Sequence, residues 1–303
     1  MNTQSSIHAR TRVIINRLTI VMNDMATILI RYSEIGLKSD PVRRKLEKHL
    51  RMNIIDMLSQ DGVEALVTIR NSRLYVETDR TDDTVRSLKK VFGIGSLSIA
   101  DTTSSDKDEI CRFVADYSRK IIGDGESFAI RARREGTHEY TSMELERDVG
   151  SAVMEANADR GIRVNLTDPD KTIFIEVRNN LAYIFSEYIR CHAGLPVGSQ
   201  GRVVADVSDD RGVVSAWLMM KRGCRVIVRG DYGLDLLSPY DPHIRNVPVG
   251  TPQPSRAYGI ALGTPLQGLD GVNMADYNVP VFFPTIGMSD SDVQGFISTI
   301  RDV

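Results

Sequence analysis

The chain has 303 residues, a formal net charge of −2 and a sequence pI near 6.2. Hydrophobic residues make up 42% of it and charged residues 26%, a globular composition that excludes a disordered chain and a disulfide-rich miniprotein. The small net charge excludes a uniformly basic nucleic-acid coat but leaves room for a local basic face. The sequence has no run of about 18 apolar residues, so we expect no membrane span.

The first 24 residues are basic with scattered apolar side chains, and Met25 opens the strand pattern that follows. They lack the continuous apolar core of a secretory signal. We therefore expect residues 1–24 to be a disordered extension or a misassigned start. The three cysteines, Cys111, Cys191 and Cys224, are far apart and form no CxxC pair. This spacing favours a reduced cytoplasmic setting over a disulfide framework or a zinc site.

The next stretch of chain predicts a ferredoxin-like unit. A β-branched strand at residues 27–32 precedes a helix at residues 42–60, whose apolar stripe begins at Val42. Two strands follow, joined by a tight turn at Asn71-Ser72, and a second helix and a fourth strand complete the order β-α-β-β-α-β.

Two further units are predicted downstream. After Thr103 we expect a helix, a strand and then an amphipathic helix over residues 142–160 with Met143 and Met154 among its apolar positions. From Arg202 the pattern becomes β-α-β, which is typical of a doubly wound α/β domain. Residues 231–256 are rich in Pro, Gly, Asp and Tyr and are expected to form a loop.

One basic group lies on a predicted strand. Arg131 and Arg133 alternate, so both side chains share one face, and Arg134 and His138 continue the group into the next loop. Guanidinium groups suit phosphate oxygens. The alternative is a solvated strand end with weak surface ion pairs to nearby glutamates.

A second basic group surrounds the first turn of the first helix and includes Lys38, Arg43 and Arg44. The positive end of the helix dipole also favours phosphate there. The alternative is an ordinary solvated helix face. Two basic groups on consecutive small α/β units favour an RNA backbone as partner.

Several segments resemble, in family order, the ThiI family of tRNA 4-thiouridine sulfurtransferases and thiamine-biosynthesis proteins. They are IRYSEIGLKSDPVRR, FAIRARREGTHEYTSMELERDVG, VNLTDPDKTIFIEV, GLPVGSQG and LMMKRGCRV. After the extension at residues 1–24, the resemblance implies a ferredoxin-like domain at 25–84 and a THUMP domain at 85–192. It also implies a shortened, Rossmann-like PP-loop pyrophosphatase domain at 193–303.

In that family the first two domains grip the acceptor end of tRNA. The resemblance therefore implies RNA contacts through the residues that match those two blocks, by A-form shape and phosphate rather than by base sequence. These residues are Lys38, Arg43, Arg44, Arg131, Arg133, Arg134, His138 and Arg147.

The third domain departs from the family at its nucleotide loop. A PP-loop reads S-G-G-x-D-S, with glycines that let backbone amides cradle pyrophosphate. Here the corresponding stretch is Ser208-Asp209-Asp210-Arg211-Gly212. A carboxylate about 4 Å from a phosphate costs on the order of 4 kcal/mol at an effective dielectric near 20. For Asp209 and Asp210 themselves we expect a solvated turn; the alternative is that they hold Mg²⁺, which binds carboxylates together with substrate phosphates.

The sulfur-handling cysteine of the family also lacks a counterpart, because no cysteine follows Cys224. Persulfide chemistry needs a thiolate. Cys191 and Cys224 are expected to be structural, since a free cysteine is usually buried as a small hydrophobe.

We therefore expect a cytoplasmic ThiI-like tRNA-binding protein whose ATP-pyrophosphatase chemistry is lost, with no catalytic residue, metal or cofactor. One alternative is an active sulfurtransferase that adenylates uridine with ATP and Mg²⁺ and takes sulfur from an external donor. Another is a non-catalytic subunit that presents tRNA to a partner modification enzyme or to a second copy of itself. Neither alternative involves a membrane.

Overall fold

The computed structural model describes residues 25–252, 254 and 256–302, so the expected extension at residues 1–24 lies outside the described residues. The chain divides into two compact units. The first unit contains Ser98–Ile189 together with short N-terminal segments. The second unit contains Ile30–Val76, Arg80–Leu97 and Arg190–Val303.

The N-terminal elements have the predicted ferredoxin-like order. They are β1 (Ala26–Arg31), α1 (Asp40–Gln60), β2 (Leu66–Arg70), β3 (Arg73–Thr78), α2 (Thr81–Lys89) and β4 (Ser96–Ser104). The strand order is β2-β3-β1-β4, as a β-α-β-β-α-β unit requires. Asn71 and Ser72 both have positive φ, as a two-residue hairpin turn needs. The apolar stripe of α1 begins one turn later than predicted, at buried Leu46, because Val42 is 45% exposed.

The first unit continues with helices on a mixed sheet. Its elements after β4 are α3 (Lys107–Ile121), β5 (Ser127–Glu135), α4 (Ser142–Ala156), β6 (Arg163–Val164), β7 (Lys171–Arg178), β8 (Leu181–Phe185) and, at its end, β9 (Ile189–Arg190). The strand order is β4-β8-β7-β5-β6. Strand β5 is parallel to β6 and β7, and β8 is antiparallel to β4 and β7.

The prediction for α4 was wrong in two respects. The helix ends at Ala156 rather than at Arg160, and buried Asn157 donates its side-chain amide to the Val153 carbonyl at 2.8 Å. Met143 and Met154 are exposed, Met143 by 79%. The buried positions are Leu145, Val149 and Val153, which recur every four residues, so the two methionines fall outside this stripe.

The last part of the chain forms a parallel sheet. Its elements are β10 (Arg202–Asp206), α5 (Asp210–Lys221), β11 (Arg225–Arg229), α6 (Leu234–Leu237), β12 (Arg245–Val247), β13 (Ile260–Leu262), β14 (Val281–Phe282) and α7 (Asp290–Arg301). The order is β12-β11-β10-β13-β14, with every pair parallel. The direction of winding reverses between β10 and β13, and ligands of such sheets bind beyond the carboxyl ends of the strands at that point.

The segment at residues 231–256 was expected to be a loop, but it contains α6 and the edge strand β12. Strand β12 spans only Arg245–Val247 and is largely exposed, so it carries no apolar alternation that a sequence pattern could reveal. Within the described part of the chain, no helix is long and apolar enough to cross a membrane.

Candidate nucleic-acid interface and nucleotide loop

Strand β5 places two of the predicted arginines on one face of the first unit. Between Arg131 and Arg133, Ala132 is buried, as the alternation of a strand requires. The Arg131 guanidinium donates to the carbonyls of Ile130 and Leu166. Arg133 is exposed and has no hydrogen-bond or ion-pair partner for its guanidinium among the described residues. It therefore remains available to an external anion.

A groove of about 600 Å³ runs between α4, the first half of β5, and β6 with the segment that follows it. Arg131 and Arg147 both line it. Glu146 also lines it and accepts from the Ala132 amide at 2.7 Å. Its apolar lining combines two buried side chains with four partly or largely exposed ones, namely Phe128 and Ile130 with Met143, Met154, Val164 and Leu166. Two cations beside an apolar floor can contact phosphate and the apolar faces of ribose or base together.

Arg147 has one carboxylate neighbour, Asp148, at 3.2 Å among the described residues. Lys107 also reaches Asp148, at 2.8 Å, and its hydrogen bond is the main reason that the pKa of Asp148 lies below its usual value. Arg147 is largely exposed, and an ion pair in solvent contributes little. The Arg147 guanidinium can therefore exchange Asp148 for a phosphate.

Arg134 and His138 lie apart from this groove. Arg134 Nη1 lies 3.5 Å from His138 Nδ1, and His138 Nε2 lies 2.7 Å from the Asn179 carbonyl oxygen. Together with Lys107 and Tyr140, His138 lines a different groove of about 550 Å³. The structure thus divides the residues predicted as one basic group between two surfaces of the first unit.

The basic group of α1 belongs to the second unit. Arg43 Nη2 lies 2.7 Å from Asp40 Oδ1, and Arg43 Nε lies 3.8 Å from Glu47 Oε1. Burial, followed by the hydrogen bond to Glu47, raises the pKa of Tyr32 and keeps its hydroxyl protonated. Lys38 and Arg44 are exposed and have no such partners among the described residues. Arg43 thus holds the first turn together, while Lys38 and Arg44 are open to a ligand.

Both carboxylates of the nucleotide loop accept hydrogen bonds from groups within the second unit. Asp209 is the N-cap of α5, and its Oδ1 accepts from the Gly212 amide at 2.8 Å. Asp210 accepts from the Tyr232 hydroxyl and from the Gln294 amide, each at 2.8 Å. The hydrogen bond from Gln294 and, to a smaller extent, the one from Tyr232 lower the pKa of Asp210. Asp210 thus accepts hydrogen bonds through both of its oxygens, and Asp209 accepts one through Oδ1.

Arg211 points away from the loop and into the protein. It is buried, and its Nη1 donates to the carbonyls of Thr285 at 3.1 Å and Met288 at 3.0 Å. Its Nη2 donates to Asp290 Oδ1 at 2.6 Å. This guanidinium joins α5 to the start of α7 and is not presented to a ligand beside Asp209.

The chain after β13 lies directly against the first turn of α5. A Cβ atom added at Gly263 would lie 2.5 Å from the Gly212 nitrogen and 2.7 Å from the Arg211 carbonyl carbon. The Gly212 amide is thus bonded to Asp209 and closely approached by the backbone at Gly263. Ser208, beside Asp209, is exposed. The described residues hold no group of three or more His, Cys, Asp or Glu that could bind a metal ion.

The cysteines are held in their protonated form. Burial raises the pKa of the Cys191 thiol to about 12, and it also raises the pKa values of Cys111 and Cys224. A nucleophilic cysteine needs the opposite shift. The structural roles expected for Cys191 and Cys224 agree with these shifts.

Family models match the ferredoxin-like domain and the THUMP domain. The ThiI ferredoxin-like domain matches residues 27–98, and the THUMP domain matches residues 104–187. The chain belongs to the ThiI family. A probable tRNA sulfurtransferase of Methanosarcina acetivorans is 41% identical over 204 residues, covering 66% of this chain and 49% of the relative. The corresponding protein of Methanocaldococcus jannaschii is 39% identical over 210 residues, covering 66% and 54%. This ThiI-family chain thus spans about half the length of the curated relatives it matches.

Two solved structures share the ThiI-type fold. PH1313 from Pyrococcus horikoshii has a TM-score of 0.76 at 26% identity and covers 91% of this chain and 100% of its own. A 4-thiouridine synthetase, crystallised with RNA and bound ATP, has a TM-score of 0.73 at 21% identity and covers 91% and 85%. The fold class expected from the sequence is confirmed, including the Rossmann-like parallel sheet of the last part.

Sequence reasoning missed the side chains that complete each site. Met143 and Leu166 line the groove, and Tyr232 and Gln294 hold Asp210. Gln294 lies 84 positions from Asp210, so no local pattern could pair them. In the sequence, the one signal for the groove was the position of Met143, which lies two residues before the buried stripe of α4.

Proposed function

We propose that this chain is a ThiI-type tRNA-binding protein of the 4-thiouridine pathway that engages the acceptor region through its ferredoxin-like and THUMP domains. The relatives that it matches over about two thirds of its own length are named probable tRNA sulfurtransferases. We further propose that ATP-pyrophosphatase chemistry is lost at the loop that follows β10. The two parts rest on different observations.

Loss of the pyrophosphatase rests on one interaction, the hydrogen bond from the Gly212 amide to Asp209 Oδ1. A PP-loop binds pyrophosphate with the amides at this helix start. Here the protein's own carboxylate takes that position, and a phosphate would have to displace it against like-charge repulsion. Asp210 is held by Tyr232 and Gln294 through both of its oxygens, so a Mg²⁺ ion at Asp210 would have to compete with these bonds.

The proposed RNA binding rests on the exposed cations of the ferredoxin-like and THUMP domains. Arg133, Lys38 and Arg44 have exposed charges without partners among the described residues, and Arg131 and Arg147 line a groove with an apolar floor. Guanidinium and ammonium groups of this kind bind phosphates of either strand without reading sequence. A-form RNA is recognised in this way, through shape, 2′-hydroxyls and phosphates.

The test is binding of the full chain to tRNA, followed by fluorescence anisotropy at several salt concentrations. We expect tRNA to bind more tightly than an unrelated DNA duplex of equal length, with an affinity that falls steeply as salt rises. The double variant Arg131→Gln, Arg133→Gln should reduce the salt slope by about one for each phosphate that the variant no longer binds. The matched control is Arg112→Gln, an exposed arginine of α3 in the same unit. Equal affinity for tRNA and DNA would contradict the proposal.

A further inference from the structure

A basic pocket of about 310 Å³ lies at the amino ends of β10 and β11, at the sheet edge opposite the first turn of α5. Arg202, Arg225 and Arg256 line it, together with His49 and Tyr258. Within the described part of the chain, no carboxylate lines it. All of these residues belong to the second unit.

The three arginines differ in what holds them. Arg225 Nε lies 3.3 Å from Oδ2 of buried Asp241, so this guanidinium is fixed and its charge is compensated. The side chains of Arg202 and Arg256 have no hydrogen-bond or ion-pair partner within the described ranges. Two uncompensated guanidinium groups on one small concavity attract an anion, and their planar donor geometry suits phosphate.

Glycines shape the wall of the pocket. Gly198 and Gly201 have φ of +88° and +89°, a conformation that L side chains rarely adopt. A Cβ atom at Gly201 would lie 2.6 Å from Tyr258 Cδ2, and one at Gly198 would lie 3.2 Å from His49 Nε2. The backbone thus supports one side of the Tyr258 ring, while Tyr258 as a whole remains 71% exposed.

We propose that this pocket is an additional RNA contact, in which Arg202 and Arg256 bind a backbone phosphate and a neighbouring base stacks on Tyr258. The inference rests on the proposed tRNA-binding function and adds a site in the C-terminal domain. The combination of free guanidinium groups with a supported, exposed aromatic ring is the chemistry by which proteins hold a nucleic-acid strand. A small inorganic anion would use the arginines but leave the ring without a role. The site lies away from Asp209 and does not depend on nucleotide binding there.

The test uses the full chain and tRNA, with Kd measured by fluorescence anisotropy across a salt series. The double variant Arg202→Gln, Arg256→Gln should raise Kd about 5- to 30-fold at low salt and reduce the salt slope by about one. Tyr258→Ala should raise Kd about 5-fold or more, because the base can no longer stack, while leaving the slope unchanged. The control is Arg222→Gln, a largely exposed arginine of the same domain. Because Arg202 begins a core strand, the single variant Arg256→Gln, at an exposed loop position, provides a second test with little effect on folding.

The outcomes separate this inference from the function on which it rests. Unchanged Kd and slope in the Arg202, Arg256 and Tyr258 variants, with tRNA binding lowered by Arg131→Gln, Arg133→Gln, would overturn the pocket and leave the proposed function standing. A higher Kd with an unchanged slope in the double arginine variant would overturn its assignment to phosphate. Failure of the wild-type chain to bind tRNA would overturn both.

Discussion

Asp209, Asp210 and Arg211 follow one another, yet each makes a different contact inside the protein. Asp209 caps α5, Asp210 bonds Tyr232 and Gln294, and Arg211 reaches the carbonyls of Thr285 and Met288. Arg211 also bonds Asp290, the first residue of α7, so this stretch of chain joins α5 to α7. These individual side chains therefore decide how the start of α5 is held within the protein.

Replacement of Arg211 tests this structural role. Arg211→Met should lower the free energy of unfolding by about 2–4 kcal/mol, because one buried and one partly buried carbonyl lose their donor. Arg222→Met, at a largely exposed arginine 3.9 Å from Glu34, should change it by less than about 0.5 kcal/mol. Urea unfolding of both variants measures the difference, and equal stability would show that Arg211 does not support the fold.

His192 gives the protein a dependence on pH. It lies among aromatic rings, with centroids 5.2 Å from Trp217, 5.6 Å from Tyr240 and 5.9 Å from Phe92. Burial, followed by Lys221 and Lys89, lowers its pKa from 6.5 to about 4. Between these values the unfolded chain binds the proton and the folded chain does not. The contribution of His192 to stability is therefore complete above pH 6.5 and falls as pH drops towards 4.

Within that window His192 should contribute a slope approaching about 1.4 kcal/mol per pH unit. The variant His192→Gln cannot bind the proton, so its stability should vary less with pH between 6.5 and 4 than that of the wild type. Thermal unfolding of both proteins over this range measures the difference. Parallel pH profiles would contradict the buried, neutral state of His192.

At the scale of elements, the start of α5 can be tested through its cap. Asp209→Ala should lower the free energy of unfolding by about 1 kcal/mol, because the Gly212 amide loses its acceptor. Asp209→Asn should stay within a few tenths of a kcal/mol of wild type, since asparagine caps as well as aspartate. Denaturant unfolding distinguishes the two variants. An Asp209→Ala protein as stable as the wild type would mean that the cap is not formed.

The elements with strong local patterns could be predicted from the sequence, and those that depend on distant partners could not. Helix α1 has Pro41 in its first turn and Gly62 after its last, and α7 has Ser289 as its N-cap. Strand β12 has only three residues, which are largely exposed, so its sequence shows no alternation of apolar and polar positions. The domain limits at residues 84 and 192 stay a prediction.

The same division holds for the candidate sites. The alternation of Arg131 and Arg133 on β5 was correctly inferred from spacing, because strand geometry is local. The pairing of Arg131 with Arg147 in one groove depends on how α4 packs beside β5. The separation of His138 from that groove depends on its bond to Asn179, 41 positions away. Contacts of this length are set by tertiary structure and leave no periodic signal in the sequence.

In the molecule as a whole, the proposed function assigns polynucleotide binding and the loss of nucleotide binding to different parts of the chain. Free cations remain on the ferredoxin-like and THUMP parts, where a polynucleotide backbone would bind. The amide at the start of α5, where a mononucleotide would bind, is taken by Asp209. A like charge at that position can weaken binding by roughly a thousandfold, since about 4 kcal/mol corresponds to three factors of ten.

Calorimetric titration of the full chain with ATP and Mg²⁺ tests this contrast most directly. We predict no saturable heat at millimolar ATP, both with and without tRNA present. Stoichiometric ATP binding, with the phosphates located beside Ser208 in a crystal of the complex, would contradict the loss of the nucleotide site.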